Sequence, residues 1–521
     1  MMRHSLLGCL VSVVLLACNT PCVRAHALHF HDRDADAGGK GSAGHTCIQD
    51  SLWRAGEEPR IVPQDRQLHE GGAELRRRAA RPQGMRIGLD FTFLMASNRQ
   101  AAQYTCFEEG RYYVRGAVFV SPVQPCSTLT DEQMAIDLFC AEVCTVDDVL
   151  SAAKRTYLVQ RLLPEAVAYF STVLKVLSED VVLLRPGEMA HCDARNIEVT
   201  IPTAYEAAVP FDMVLFVTAS PTSIPGRGSY GSGDEKNVGF ARFCAQNGAL
   251  RPIAGVINIG MNAIAVDELS HGFQLSLVIH EMTHTLGFTR TMVEQLVAVP
   301  GTSFRMVSMT GVPYDTARKF VATPRVLEVV REHFNCSSMP GAQLEDGYGF
   351  GGDGGGTALS HWEKRLFMNE YMTGIGSGGV AIRSKLTLAL LEDLGFYYPD
   401  YAKAETLLFG RNLGCSFALE KCTGKAWVAP WEDNTAREAK VLQTSYSPYF
   451  CVETNENVCT FDRTARGLCG TMQFLKIGPD FQYFSSGAVG GASELADFCP
   501  YVTARIRIPV DPPTLLVRRG R

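Results

Sequence analysis

At 521 residues the chain exceeds what one hydrophobic core usually organises, so a pre-segment plus two or three packed subdomains is expected. Its composition is that of an ordinary globular protein, 46% hydrophobic and 20% charged, and a formal net charge of −6 leaves no electrostatic footprint for nucleic acid. Seventeen cysteines without regular CxxC pairs point to an oxidising compartment rather than the cytosol.

The chain opens with a short basic start and an apolar run from Leu6 to Cys18, too short to span a bilayer, followed by the small-residue exit Val23-Arg24-Ala25. Residues 1–25 are therefore expected to be a signal peptide, with an N-terminal anchor as the alternative. Residues 26–82 carry little apolar periodicity and close on the basic cluster Arg76, Arg77, Arg78 and Arg81, as a pro-segment with a processing site would; a merely disordered N-terminus is the other reading.

From Met85 the character changes. Ile87 to Phe93 alternates like a half-buried strand. Thr130 with Gln133 forms a capping-box pattern, and Pro164 stands where a first helical turn tolerates it, so two or three helices are expected before residue 178. Strand-like runs follow at Val209 to Thr218 and Ala254 to Ile259, ahead of a long helix. Strands and helices sharing one unit make the fold class α+β. No later segment is apolar enough to cross a membrane, and the C-terminal residues lack the apolar tail of a lipid-anchor signal. The sequon Asn335-Cys336-Ser337 is a glycosylation candidate that the same compartment permits.

Chemistry concentrates in Leu275 to Gly287. At 100° per residue, His280 and His284 project about 40° apart, while Leu275, Val278, Met282 and Leu286 lie opposite. Two imidazoles one turn apart can share a metal, and Glu281 between them can take a proton from water activated there: this is the HExxH arrangement of zinc proteases. Gly287 allows the helix to end and the chain to turn. Two surface histidines on an ordinary helix are the bland alternative. A catalytic site needs a third ligand. Position 290, where the compact form of the pattern places it, is Arg290; His333 reads as the end of a charged helix; His361 follows Gly347 to Gly356, which has seven glycines in ten residues. His361 is the choice, with a glutamate ligand as the rival.

These residues resemble the leishmanolysin family, a metzincin branch with a long insert before its third histidine. His280 to Phe288 is similar to the family's active-site helix, Ser360-His361 to its third-ligand segment and Asn369-Glu370-Tyr371-Met372 to its methionine turn. Further likeness lies in Val256 to Ile259, Glu392 to Tyr397, and Gly410 to Cys415 with Glu420-Lys421-Cys422, covering roughly residues 85 to 500. The resemblance implies a zinc endopeptidase holding one Zn2+ per chain through His280, His284 and His361. Glu281 would be the base and Met372 the hydrophobic floor beneath the ligands. It also implies polypeptide substrates, a part in adhesion to host surface or matrix proteins, and a metzincin-like catalytic domain with a long insert.

His45 to Asp50 is similar to the family's pro-segment motif, which makes Cys47 a cysteine switch; pairing with an odd mature cysteine is its other fate. Departures are Gln49, where the family commonly has His, and Thr373-Gly374 after the turn methionine. The expected division is 1–25 signal peptide, 26–82 pro-segment, 83–289 N-terminal catalytic subdomain, 290–405 central subdomain and 406–521 cysteine-rich C-terminal domain. The likeness stops near Cys499 to Val502, so that last domain is expected to be truncated. A non-catalytic surface glycoprotein of the same fold is the competing functional reading, and retained Glu281 favours the enzyme.

Overall fold

The computed structural model describes residues 60–61 and 81–504, except 117–119, 131–138, 178–181, 185–191, 193–196, 222, 225–234, 237–238, 300–302, 312–316, 347–356, 375–380, 423–448, 452–457, 464–465, 475 and 485. The expected signal peptide, Cys47, the helix after Thr130 and the glycine run 347–356 lie outside the described residues.

Five strands form the central sheet: β1 (Arg60–Ile61), β2 (Ile87–Asp90), β3 (Met213–Thr218), β4 (Gly239–Gln246) and β5 (Pro252–Ile259). Their order is β1-β4-β5-β3-β2. The β4–β5 pairing is antiparallel and the other three are parallel. The run Met213-Val214-Leu215-Phe216-Val217 is buried throughout because both faces of the sheet are covered. Side-chain alternation then divides the residues. Leu215, Val217, Ala241, Phe243, Ile257 and Ile259 enter the main core, whereas Val214, Phe216, Phe240, Ala254 and Val256 enter a smaller core on the opposite face.

Helices complete the main core. Helix α1 (Leu163–Val173) is followed by α2 (Glu268–Thr285), which packs across β4 and β5, and by α3 (Arg290–Ala298), α4 (Pro324–Phe334) and α5 (Lys385–Asp393). Pro164 differs from expectation. It does not open a separate helix: the helical run begins at Ala152–Tyr157 and continues through a π turn, Leu158–Leu162, into α1. A proline lacks an N–H and crowds the carbonyl four residues back, and a widened turn just before it relieves both problems. The strand expected through Phe93 also stops short, at Asp90. There the Asp90 carboxylate accepts the Thr92 N–H at 2.8 Å and turns the chain into a 3-10 segment, Thr92–Leu94.

Twelve cysteines form six disulfides: Cys106–Cys144, Cys126–Cys140, Cys192–Cys244, Cys336–Cys415, Cys422–Cys499 and Cys451–Cys469. Cys459 is also disulfide-bonded, to a partner outside the described residues. The Cys336–Cys415 bridge ties the end of α4 to the C-terminal part, an alternation of short strands and turns closed by Cys422–Cys499. Among the described residues, no helix is long and apolar enough to cross a membrane.

His333, near the end of α4, marks this junction. Its Nε2–H donates to the Phe409 carbonyl at 2.8 Å, and burial pushes its pKa down to about 4 from the ordinary 6.5. The folded chain thus binds fewer protons here than the unfolded chain between those values. The associated stability is complete above pH 6.5 and is lost as the pH falls towards 4, by about 3 kcal/mol at most. Thermal unfolding of wild type and His333→Gln from pH 7 to 4.5 checks this. Other groups titrate in both proteins, and the variant is expected to lose several degrees less of its melting temperature.

Candidate metal centre

Helix α2 begins with Asp267 as its cap, the carboxylate accepting the Ser270 N–H at 2.8 Å. Sequence periodicity implies an apolar back and an open front, but the second half of the helix is buried on all sides. Every residue from Leu277 to Thr285 is enclosed, including His280, Glu281 and His284. Leu275 is only partly buried, whereas Val278, Met282 and Leu286 are fully within the core. The helix ends at Leu286, and Gly287 adopts φ +118°, where a β-carbon would press on Leu394 and Met292. This turn brings the Phe288 carbonyl back onto His284 Nδ1 at 2.7 Å. Gly287 therefore shapes the surroundings of His284 as well as terminating the helix.

His361 arrives on a short extended segment held on both sides. Leu344 pairs with Trp362 on one side, and Thr373, after the methionine turn, pairs with it on the other. The Glu345 N–H donates to the His361 carbonyl at 2.9 Å, and the Trp362 N–H donates to the Met372 carbonyl at 3.0 Å. Leu359 and Met368, both at positive φ, bracket the segment; such conformations persist when the surroundings over-determine them.

The three imidazoles converge. His284 Nε2 lies 3.2 Å from His280 Nε2 and 3.1 Å from His361 Nε2, and the remaining pair is 3.3 Å apart. Each opposite ring nitrogen meets a backbone carbonyl: His280 Nδ1 with Tyr371 at 2.6 Å, His284 Nδ1 with Phe288 at 2.7 Å and His361 Nδ1 with Thr357 at 2.9 Å. A carbonyl can only accept, so each Nδ1 carries the proton and each Nε2 presents its lone pair to the shared centre. Three lone pairs facing one another repel unless a cation lies among them. Zinc–nitrogen bonds of about 2.0–2.1 Å in a tetrahedral site imply nitrogen separations of about 3.3 Å, close to those found. The donor set therefore fits a zinc-sized ion.

Around this centre the structure adds residues beyond the ligands. Met372 is fully buried, and its N–H donates to Glu370 Oε2 at 2.6 Å. Glu370 Oε1 accepts from Ser384 Oγ at 2.9 Å and Thr387 Oγ1 at 2.7 Å, pinning the methionine turn to the start of α5. Burial pushes the Glu370 carboxyl up to about 7 against those three donors, which favour its charged form. The Tyr371 hydroxyl meets Thr283 Oγ1 at 3.1 Å, joining the turn to α2. Glu281 is completely buried beside β4, where a β-carbon at Gly239 would stand in ordinary contact with its Cγ, 3.7 Å away.

The other sequence candidates lie elsewhere. His333 is engaged by Phe409, and Arg290 stands at the start of α3 with its Nε 2.9 Å from Glu294. Asn335 is exposed as the left-handed cap of α4, φ +53°, a position asparagine tolerates for structural reasons alone.

Comparison with known proteins gives the family. Residues 45–508 match the family model described as leishmanolysin. The chain belongs to the leishmanolysin family of metallopeptidases. It is 28% identical over 470 residues to a leishmanolysin homolog of Crithidia fasciculata, covering 89% of this chain and 64% of that one. It is 33% identical to a leishmanolysin-like peptidase of Drosophila melanogaster, over 56% of this chain and 46% of the relative. Against leishmanolysin of Leishmania major it is 27% identical, over 69% and 53% respectively. The chain thus spans about half to two thirds of the length of these leishmanolysin relatives.

Residue types and spacing pointed to the three histidines that the structure brings together, but not to the three carbonyls that meet their Nδ1 atoms. Glu370 was within reach of the sequence: it stands two residues before Met372, and a carboxylate so near a hydrophobic floor needs partners.

Proposed function

We propose that this chain is a zinc-dependent endopeptidase acting on polypeptides in an extracellular setting. The observation that carries the reading is the convergence of three Nε2 atoms, each with its Nδ1 committed to a carbonyl, beside a buried glutamate. When bound, zinc supplies a Lewis acid that brings the pKa of water down to about 7.

The residues of the chain supply the rest. His280, His284 and His361 would hold the ion as neutral imidazoles. The carbonyls of Tyr371, Phe288 and Thr357 keep the rings in the tautomer that permits this. Glu281 accepts the proton of the attacking water and delivers it to the leaving amine, from a fully buried position next to the first histidine.

The six described disulfides support passage through an oxidising compartment, consistent with a cleaved leader and a pro-segment that is removed on maturation. Cys47 is proposed as the thiol that silences the precursor. The disulfide at Cys459, whose partner lies outside the described residues, makes pairing its competing fate, and thiol labelling of the precursor decides between the two.

Cleavage of casein by the purified mature chain tests the central proposal. Activity is expected to disappear with a zinc chelator and to return when zinc is restored. A folded, zinc-loaded chain that leaves casein and a panel of unstructured peptides intact would contradict it.

A further inference from the structure

Next to the segment carrying His361 lies a group of charged side chains that the hydrolytic mechanism does not use. Arg318, Glu345, Glu363, Lys364, Arg365 and Asp497 are all buried. Asp497 belongs to the C-terminal part, whereas the others belong to the elements on either side of the third ligand. Its Oδ1 lies 3.6 Å from Arg318 Nη2 and its Oδ2 lies 3.4 Å from Arg365 Nε. Arg318 is also paired with Asp346.

We propose that Asp497 is a positioning residue for the His361 imidazole, and that the C-terminal part is consequently a working component of the metal site. This rests on the zinc reading given above.

The connections run through named contacts. Arg318 begins the strand Arg318–Val321, which pairs with Ala342–Gln343. The next two residues of that chain hold the ligand segment: Leu344 pairs with Trp362, and the Glu345 N–H bonds the His361 carbonyl. Arg365, in the single helical turn Lys364–Phe367, reaches the same place from the other end. Its Nη2 donates to Gln343 Oε1 at 3.4 Å, Gln343 Nε2 donates to Glu363 Oε2 at 3.4 Å, and the Glu363 N–H donates to the Gln343 carbonyl at 3.0 Å. The two guanidinium groups flanking Asp497 thus belong to the two elements that frame the ligand segment, Arg318 paired with Asp346 beside the strand next to it and Arg365 on the turn that follows it.

Asp497 is itself well placed by the C-terminal part. It adopts φ +55°, a left-handed conformation that aspartate tolerates, and its carbonyl accepts the Tyr483 hydroxyl at 2.8 Å. Cys499, two residues on, is bonded to Cys422. The Phe481 ring lies 5.2 Å from Arg318 Cζ, and Arg365 Nη1 donates to the Glu420 carbonyl at 3.3 Å. One carboxylate within ion-pair distance of two buried guanidinium groups, one on each element, links those elements through its charge rather than its volume, and asparagine would remove that link.

The test uses the full mature chain, loaded with zinc, and measures the rate at which a chromophoric chelator captures the metal well below the unfolding temperature. Asp497→Asn is expected to release zinc at least ten-fold faster than wild type and to alter the visible spectrum of the cobalt-substituted protein. Asp212→Asn breaks the ion pair of the buried Asp212 with Arg86, which neither joins this network nor touches the methionine turn, and serves as the control for general destabilisation. It is expected to leave both readouts unchanged. Should Asp497→Asn fail to fold, Arg365→Lys, which keeps the charge but loses the contact through Nε, is expected to show faster release. Wild-type release rates and an unchanged cobalt spectrum in the folded variants would overturn the proposal. A wild-type chain that takes up no zinc would instead remove the reading beneath it, and the proposal with it.

Discussion

Glu281→Gln is expected to slow peptide hydrolysis by about 10²–10⁴-fold, the range that a positioned general acid–base group contributes, while the chain folds and keeps its zinc. Glutamine preserves the volume of a side chain that is completely buried. It removes only the ability to take up and return a proton. Measured with a fluorogenic peptide, the loss should fall on kcat with little change in KM, because the group acts on the reacting water and not on substrate binding. Equal activity in wild type and variant would mean that another residue is the base.

The second large effect concerns the third ligand. His361→Ala leaves two imidazoles and is expected to weaken zinc binding by more than about 10²-fold, beyond the 10–100-fold typical of losing a residue that merely orients a ligand. It should also abolish the zinc-dependent rise in melting temperature. Metal binding only to the folded state stabilises by RT ln(1 + [L]/Kd), about 4 kcal/mol at a thousand-fold excess over Kd. Scanning calorimetry of wild type and variant, with and without zinc, checks both points. A variant that still binds tightly would show that a different donor completes the site.

The extent to which this site was legible in the sequence follows from the physics of each part. The pair on α2 was readable because helical geometry alone sets two imidazoles one turn apart, and the glycine run followed by His361 marked where the chain returns. Burial was less readable. An apolar stripe on a helical wheel implies one covered face, whereas the second half of α2 is enclosed on all sides because the methionine turn packs against its polar front. The carbonyls of Tyr371, Phe288 and Thr357 carry no signal, since every residue has one and only the fold decides where it points.

The same limit applies to the ion-pair network. Arg318 and Asp497 are 179 positions apart, and no periodicity connects them. Local rules also yielded where side chains intervened. Alternation favoured a strand through Phe93, but the Asp90 carboxylate offered Thr92 a better partner than the sheet did. Pro164 would have served as a helix start had the preceding π turn not let the helix continue through it.

X-ray absorption at the zinc edge of the purified mature chain examines the site most directly. The account predicts one zinc per chain with three imidazole nitrogens and a single light-atom donor from solvent, and loss of one imidazole shell in His361→Ala. A spectrum dominated by sulfur, or a metal held equally well without His361, would contradict it.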